Sequence, residues 1–261
     1  MCDSDQIQRI LFDQRDIRGV LTGLDSAFSE AVAKHDYPPV IRRILGEMMA
    51  AAAILSANLK FEGRLILQAQ AAGNVRVLMA ESTHKQELRS IARFDGELDE
   101  NASFTELLSG GQLAITIDPE KGQRYQGYVP LEGETLSDCL EAYFRYSEQL
   151  DSQLHLACDG EKAAGFLLQV LPAEGSKAED WSHISQLGAT LKTEELLELD
   201  NETLLYRLFH EEECRLHEAS PVAFRCDCSR QRTAESLRFM TEEELHEIAE
   251  REGAVEVACQ F

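Results

Sequence analysis

Three cysteines near the end of the chain restrict how that part of it can fold. The sequence reads Cys226-Asp227-Cys228, then thirty residues, then Cys259-Gln260-Phe261. A Cys-x-Cys pair on extended chain places both sulfurs on one face, because strand side chains alternate with period two. Followed at this distance by a Cys-x-x-Cys turn, it makes a four-thiolate pattern. That is the soft, tetrahedral donor set of a structural zinc site, with Zn–S near about 2.3 Å. The chain as given ends one residue before the fourth thiol is due. Cys226, Cys228 and Cys259 are therefore the candidate metal ligands and redox-active thiols, in a zinc-binding module expected in truncated form.

A unit the size of residues 226–261 buries too little apolar surface to fold firmly alone. Bound metal supplies on the order of 10 kcal/mol or more in small zinc modules, so losing the metal unfolds them. An oxidant that attacks the thiolates would then act as a switch. Residues two apart on a strand have Cα atoms near the upper limit of about 6.8 Å for a disulfide, so joining Cys226 to Cys228 bends the backbone. The other four of the seven cysteines (Cys2, Cys139, Cys158 and Cys214) stand alone. Cys139 lies on an apolar helix face and Cys158 at a strand end, and both read as core packing. The seven histidines show no paired metal spacing.

The formal net charge is −22 over 261 residues. Such a surface repels phosphate backbones and anionic lipid, which argues against nucleic-acid and membrane partners. No stretch reaches the roughly 18 apolar residues of a membrane span, and the N-terminus lacks a signal-peptide core. The expected location is the cytoplasm, where cysteines stay reduced and clustered ones point to metal or redox chemistry. No phosphate loop, dinucleotide fingerprint or nucleophile elbow is present. The residues give no independent argument for an enzyme.

The pattern along the chain is α+β, in three parts: a core over 1–175, a helical acidic linker over 176–225, and the small terminal unit over 226–261. A strand is expected over 17–21. Pro39 suits the first position of a helix, with apolar residues at helical spacing through residue 59. Residues 65–71 and 75–79 read as a hairpin across Gly73-Asn74. Further strands are expected over 88–94 and 113–117, the latter ended by Asp118-Pro119 and pairing with 124–129. Thr135 caps a helix, and 154–158 with 165–171 form a hairpin across Asp159-Gly160. In the linker, Trp181, Ile184, Leu187 and Leu191 make one apolar stripe. Thr193 opens a second helix, Asn201 caps a third, and Glu211-Glu212-Glu213 closes it. Three acids at a helix C-terminus oppose the macrodipole, so this segment is expected to be marginally stable. In the last unit, Thr241 with Glu244 is a capping box, Gly253 a stop, and residues 255–259 a strand.

Several segments resemble one family closely and in order. They include Leu59-Lys60-Phe61-Glu62-Gly63, Gly122-Gln123-Arg124-Tyr125-Gln126-Gly127 and Leu131-Glu132-Gly133-Glu134-Thr135-Leu136. Lys192-Thr193-Glu194-Glu195-Leu196-Leu197, Leu208-Phe209-His210-Glu211-Glu212-Glu213 and Cys226-Asp227-Cys228-Ser229-Arg230 continue the match. Together they resemble the bacterial redox-regulated chaperone family known as the 33-kilodalton heat-shock chaperonin. The resemblance implies an ATP-independent holdase that is not an enzyme. It implies zinc bound under reducing conditions, on Cys226, Cys228 and Cys259 here. It implies that hypochlorite, or peroxide with heat, forms disulfides, releases zinc and unfolds the terminal domain and linker. The activated form is expected to dimerise and to hold unfolding client proteins. The client surface is expected on apolar area of the core and linker, with the Ile184, Leu187 and Leu191 stripe as a candidate.

Two other readings use the same thiols. A thiol-disulfide oxidoreductase would employ Cys226 and Cys228 catalytically, with Arg225 and Arg230 beside them. A zinc-ribbon nucleic-acid binder is disfavoured by the charge. With three thiolates in the chain, zinc is expected to be weak or absent and the protein to sit near its activated state. Metal analysis of the fully reduced chain should find substoichiometric zinc; one tightly held zinc per chain would overturn that expectation.

Overall fold

The computed structural model describes residues 4–172, 178–226, 234, 240–253 and 261. The chain divides into two compact units, Met1–Phe224 and Arg225–Phe261. The first unit holds β1 (Gln6–Phe12), β2 (Ile17–Leu24), α1 (Ser26–Val32), α2 (Pro39–Ser56), β3 (Gly63–Gln70), β4 (Val75–Thr83), β5 (Glu87–Phe94) and α3 (Phe104–Leu108). It continues with β6 (Gln112–Pro119), β7 (Tyr125–Pro130), α4 (Leu136–Tyr143), a π-helical turn (Phe144–Glu148), β8 (Ser152–Cys158) and β9 (Ala163–Val170). The remainder is α5 (Ala178–Gly188), α6 (Thr193–Glu198), α7 (Asn201–Phe209), β10 (Cys214–Leu216), β11 (Ser220–Pro221) and β12 (Ala223–Phe224).

The strands make two sheets among the described residues. The first runs β10-β1-β2-β9-β8, with β11 also on β1; the second runs β12-β5-β4-β3-β6-β7. All pairs are antiparallel except β12 with β5. The α+β expectation holds. Helix α2 begins at Pro39, whose missing N–H costs nothing at that position. Every residue from 48 to 54 is essentially excluded from solvent, which marks a helix enclosed on all sides. It touches β3, β4 and β5 of the second sheet and β2, β8 and β9 of the first. The main core lies between the two sheets, around this helix.

Close approach is built into both partners. A Cβ on Gly46 of α2 would collide with Cys158 Sγ and lie 2.9 Å from that residue's Cβ. A Cβ on Gly165 of β9 would lie 2.6 Å from Ile54 Cδ1. The alanines at 50–53 keep the helix slim enough to fit.

The expected hairpins form. Gln70 pairs with Val77 across the Gly73-Asn74 loop, Ile117 with Tyr125, and Cys158 with Ala163. Pro119 is the last residue of β6 rather than a residue beyond it. Thr135 caps α4, with Asp138 completing the box. One cap differs: Asp200, not Asn201, caps α7, with Thr203 N–H donating to Asp200 Oδ1 at 2.8 Å. Asn201 is already helical, and its Nδ2 instead donates to Gln8 Oε1 at 2.6 Å, tying α7 to β1. Strand β1 and helices α1 and α3 go beyond the sequence reading. In the second unit, α8 (Glu242–Glu252) carries the Thr241–Glu244 capping box and stops at Gly253, whose φ is 77°. The strand expected over 255–259 lies outside the described residues.

Gly46→Ala tests the fit of α2. Removing a helical glycine in open space stabilises by up to about 1 kcal/mol; here overpacking against Cys158 should cost about 2–3 kcal/mol instead. Chemical denaturation should show the loss, and Cys158→Ala in the same chain should restore part of it.

Candidate functional site

The first sheet is apolar on both faces. Along β9, Ala163 and Leu167 point to the α2 core while Ala164, Phe166 and Leu168 point the other way. On the same outer face, β1 contributes Ile10 and Phe12, and β2 contributes Ile17 and Leu21. Helices α5, α6 and α7 and the turn between α5 and α6 cover this face with Ile184, Leu191, Leu196, Leu204, Leu208 and Phe209. Phe209 is the anchor: its ring meets Phe12 edge-on at 5.2 Å and Phe166 at 6.3 Å. Ile184 is fully buried and Leu191 nearly so. The stripe singled out in the sequence is therefore the inner face of the covering segment. Sheet and segment each hide apolar surface in the other.

The segment is also clamped electrostatically. Arg15, in the β1–β2 turn, reaches Asp180 at 2.7 Å and Glu212 at 2.8 Å, so one guanidinium holds both ends of the helical run. His183 Nε2 lies 2.7 Å from Glu212 Oε1. Asp13 N–H donates to Glu213 O at 2.9 Å, and Arg215 pairs with Asp13 at 3.0 Å. The acidic triplet past α7 was expected to weaken the segment. Helix α7 ends at Phe209, before the acids, and Glu212 is a largely buried ion-pair partner rather than a solvated charge. A half-buried guanidinium between two carboxylates is worth more than a surface pair.

The seam under α6 is less well satisfied. A cavity of about 330 Å³ lies there, lined by Glu47, Glu141, Gln153, His155, Lys192 and Leu196 among others. Gln153 Oε1 and His155 Nε2 are buried and have no hydrogen-bond partner among the described residues. Each such atom costs about 1–3 kcal/mol. Burial pushes the Glu47 carboxyl up to about 7, with Arg43 only partly offsetting it. Burial alone lowers the His155 imidazole.

The described thiols divide by environment. Burial pushes Cys158 up to about 12, and nearby Glu47 adds to the effect. Burial likewise raises Cys139 and Cys214. These three are held as thiols near neutral pH, as inert packing residues are. Cys139 and Cys158 are buried, in line with the core reading. Cys226 is half-buried and falls in the second unit. Cys228 and Cys259 lie outside the described residues. No cluster of three or more metal-ligating side chains occurs among the described residues. Thiolates are a donor type that suits zinc.

The sequence pattern did not point to the covered sheet face or the Arg15 clamp. Both depend on pairings more than 150 residues apart in sequence, such as Arg15 with Asp180. The signal that was available is β9, whose strand is apolar at both parities, as strands covered on both faces are.

An α+β core with its own helical segment packed over an apolar sheet face defines the class of protein to which this chain belongs. The chain belongs to the Hsp33 family, whose model, described as Hsp33 protein, matches residues 5–261. The 33 kDa chaperonin of Azotobacter vinelandii is 48% identical over 268 residues, covering 100% of this chain and 90% of the relative. That of Shewanella loihica is 43% identical, covering 98% and 90%. A crystal structure of a 33 kDa chaperonin (heat shock protein 33 homolog) from Thermotoga maritima superposes with a TM-score of 0.87. It covers 98% of this chain and 92% of that one at 23% identity. At that identity the likeness is one of fold.

Glu47 sets a pH dependence. Its folded-state pKa is raised, so the folded chain holds a proton that the unfolded chain releases between about pH 4.5 and 7. Stability therefore falls as pH rises through that window, and the full cost applies above it. Glu47→Gln should raise stability by about 1–3 kcal/mol at pH 8, and the gain should vanish below about pH 4.5. A gain independent of pH, read by thermal melts, would refute the assignment.

Proposed function

We propose that this chain is a redox-gated, ATP-independent holdase: a chaperone rather than an enzyme, binding unfolding proteins when its covering segment lets go. The observation that carries the reading is the outer face of the first sheet, where Ile10, Phe12, Ile17, Leu21, Phe166 and Leu168 lie under α5–α7. Once uncovered, these side chains form the contiguous apolar patch that marks a protein-interaction surface. The underside of the segment itself adds Ile184, Leu204, Leu208 and Phe209. Relatives named as chaperonins support the same reading.

The proposed parts are a core over 1–175, a linker over 176–225 and a redox unit over 226–261. Cys226, Cys228 and Cys259 are the proposed redox-active thiols and zinc ligands. Zinc, wherever these thiolates hold it, would keep the second unit folded. Oxidation of Cys226 and Cys228 withdraws two thiolates from the metal, and the second unit loses its main source of stability. The burial of Cys139, Cys158 and Cys214 supports this division, because raised thiols react slowly with oxidants. The uncovered form is proposed to dimerise, since two exposed apolar faces cover each other. The proposed location is the cytoplasm. Nucleic acid and membrane are not proposed as partners, given the −22 charge. Among the described residues no helix is long and apolar enough to cross a membrane.

The test compares aggregation of a thermally unfolding client in the presence of four proteins: the reduced chain, the hypochlorite-treated chain, and reduced and treated Cys226→Ser/Cys228→Ser. Phe209→Ala, reduced, is a fifth arm; it removes the anchor at a cost of about 3–5 kcal/mol to docking. Treated wild type and reduced Phe209→Ala should suppress aggregation near stoichiometry, and treatment should not change the cysteine variant. If proteolysis shows residues 178–210 released in Phe209→Ala and aggregation is unaffected, the covered face is not the client surface.

A further inference from the structure

On the other side of the first sheet, past the C-terminal end of α2, the charge of the molecule reverses locally. Arg9 of β1 and Arg18 of β2 sit on the same sheet face, since Leu11 pairs with Arg18 and Arg9 with Val20. They line a cavity of about 410 Å³ together with Lys60, His217 and Asn58. Among the described residues no aspartate or glutamate lines it, in a chain with 47 acidic residues against 25 basic ones.

Neither arginine has a carboxylate partner among the described residues. Arg9 Nη2 donates to Ala57 O at the end of α2. Arg18 Nη2 donates to Gln169 Oε1 at 2.5 Å, and Gln169 is itself buried and held by its own bond to Ser152 Oγ. Arg18 Nε is buried and has no hydrogen-bond partner among the described residues. Elsewhere Arg15, Arg64, Arg76, Arg89, Arg207 and Arg215 all pair with acids. Burial, and then repulsion from Arg9, lowers the pKa of the Arg18 guanidinium. An adjoining cavity shares Arg18, Asn58 and Leu59 and contains Glu148, but that carboxylate accepts from Tyr143 OH at 2.6 Å.

The site is built rather than incidental. Arg18 is fixed by Gln169. His217 is pinned to β1 by its N–H donating to Arg9 O at 2.9 Å and by Gln8 Nε2 donating to its carbonyl at 3.1 Å. Lys60 is exposed at the rim. Two fixed guanidiniums, an ammonium and an imidazole around a cavity of ligand size are the donor set that recognises oxyanions, phosphate above all.

We propose that the Arg9–Arg18 cleft binds a multivalent oxyanion of the phosphate class. Pyrophosphate is the probe. Titration of the full chain by calorimetry, at ionic strength held constant with sodium chloride, should show saturable one-site binding with Kd below about 1 mM. Arg18→Gln should weaken it tenfold or more, and Lys60→Gln about threefold. Lys60 is exposed, so its variant keeps the test valid if Arg18→Gln does not fold. Glu148→Gln should leave the affinity within twofold. Citrate at the same ionic strength should bind at least tenfold more weakly than pyrophosphate. Absence of saturable binding, equal affinity in Lys60→Gln and wild type, or citrate binding as tightly as pyrophosphate would each overturn the proposal. The readout is binding alone and stands whether or not the chain suppresses aggregation.

Discussion

Everything in the first unit is arranged around one enclosed helix. Helix α2 is apolar on all sides over residues 48–54, so it cannot rest on a single sheet with its back to water. The second sheet covers one side and the first sheet the other. Small residues make this possible: alanines at 50–53, Gly46 against Cys158, and Gly165 against Ile54. Interiors of this density respond to a single methyl group, so the helix fixes the spacing of both sheets.

That spacing has a consequence on the far side of the first sheet. Its strands β2 and β9 are buried almost throughout, at both parities. One parity is satisfied by α2. The other needs a second cover, and the chain supplies it from residues more than a hundred positions after β2. The cover is made of short helices of six to eleven residues, none long enough to be stable alone in water. They are helical because they are docked. Cover and docking are therefore one equilibrium: loosening the contacts of Phe209 or the Arg15 clamp also removes the reason for α5–α7 to be helical. A region held in this way can open at a free energy below that of global unfolding.

How much of this was legible in the sequence depended on how local the cause was. Pro39 and the apolar spacing behind it located α2; Thr135 and Thr241 announced their caps; Gly73-Asn74 and Asp159-Gly160 located two hairpins. Each signal lies within a few residues of the element it specifies. Strand β1 was missed because Gln8 and Arg9 break its alternation, and its partners are β2, β10 and β11. Asn201 was misread because Asp200, one position earlier, is an equally good cap; what decided was the contact of Asn201 with Gln8, across 193 positions. The stripe at Ile184 and Leu191 was visible as apolar, but periodicity alone does not distinguish a docked face from a binding face. The thiol spacing was clear in the sequence, while its geometry falls largely on residues outside those described.

The polar seam and the apolar anchor pull the covering segment in opposite directions. At the α7 end, Phe209 sits between Phe12 and Phe166 and the clamp closes over it. At the α6 end, Gln153 Oε1 and His155 Nε2 are buried without partners among the described residues, and Glu47 is held away from its ionised form. Opening the α6 end lets water reach these groups and recovers their solvation; opening the α7 end exposes aromatic rings with no such return. The seam should therefore give way first, from α6 outward, with the Phe209 end releasing last. A cover that frays from its polar edge keeps Phe209 on Phe12 and Phe166 to the end, so the aromatic part of the sheet face is the last to meet water.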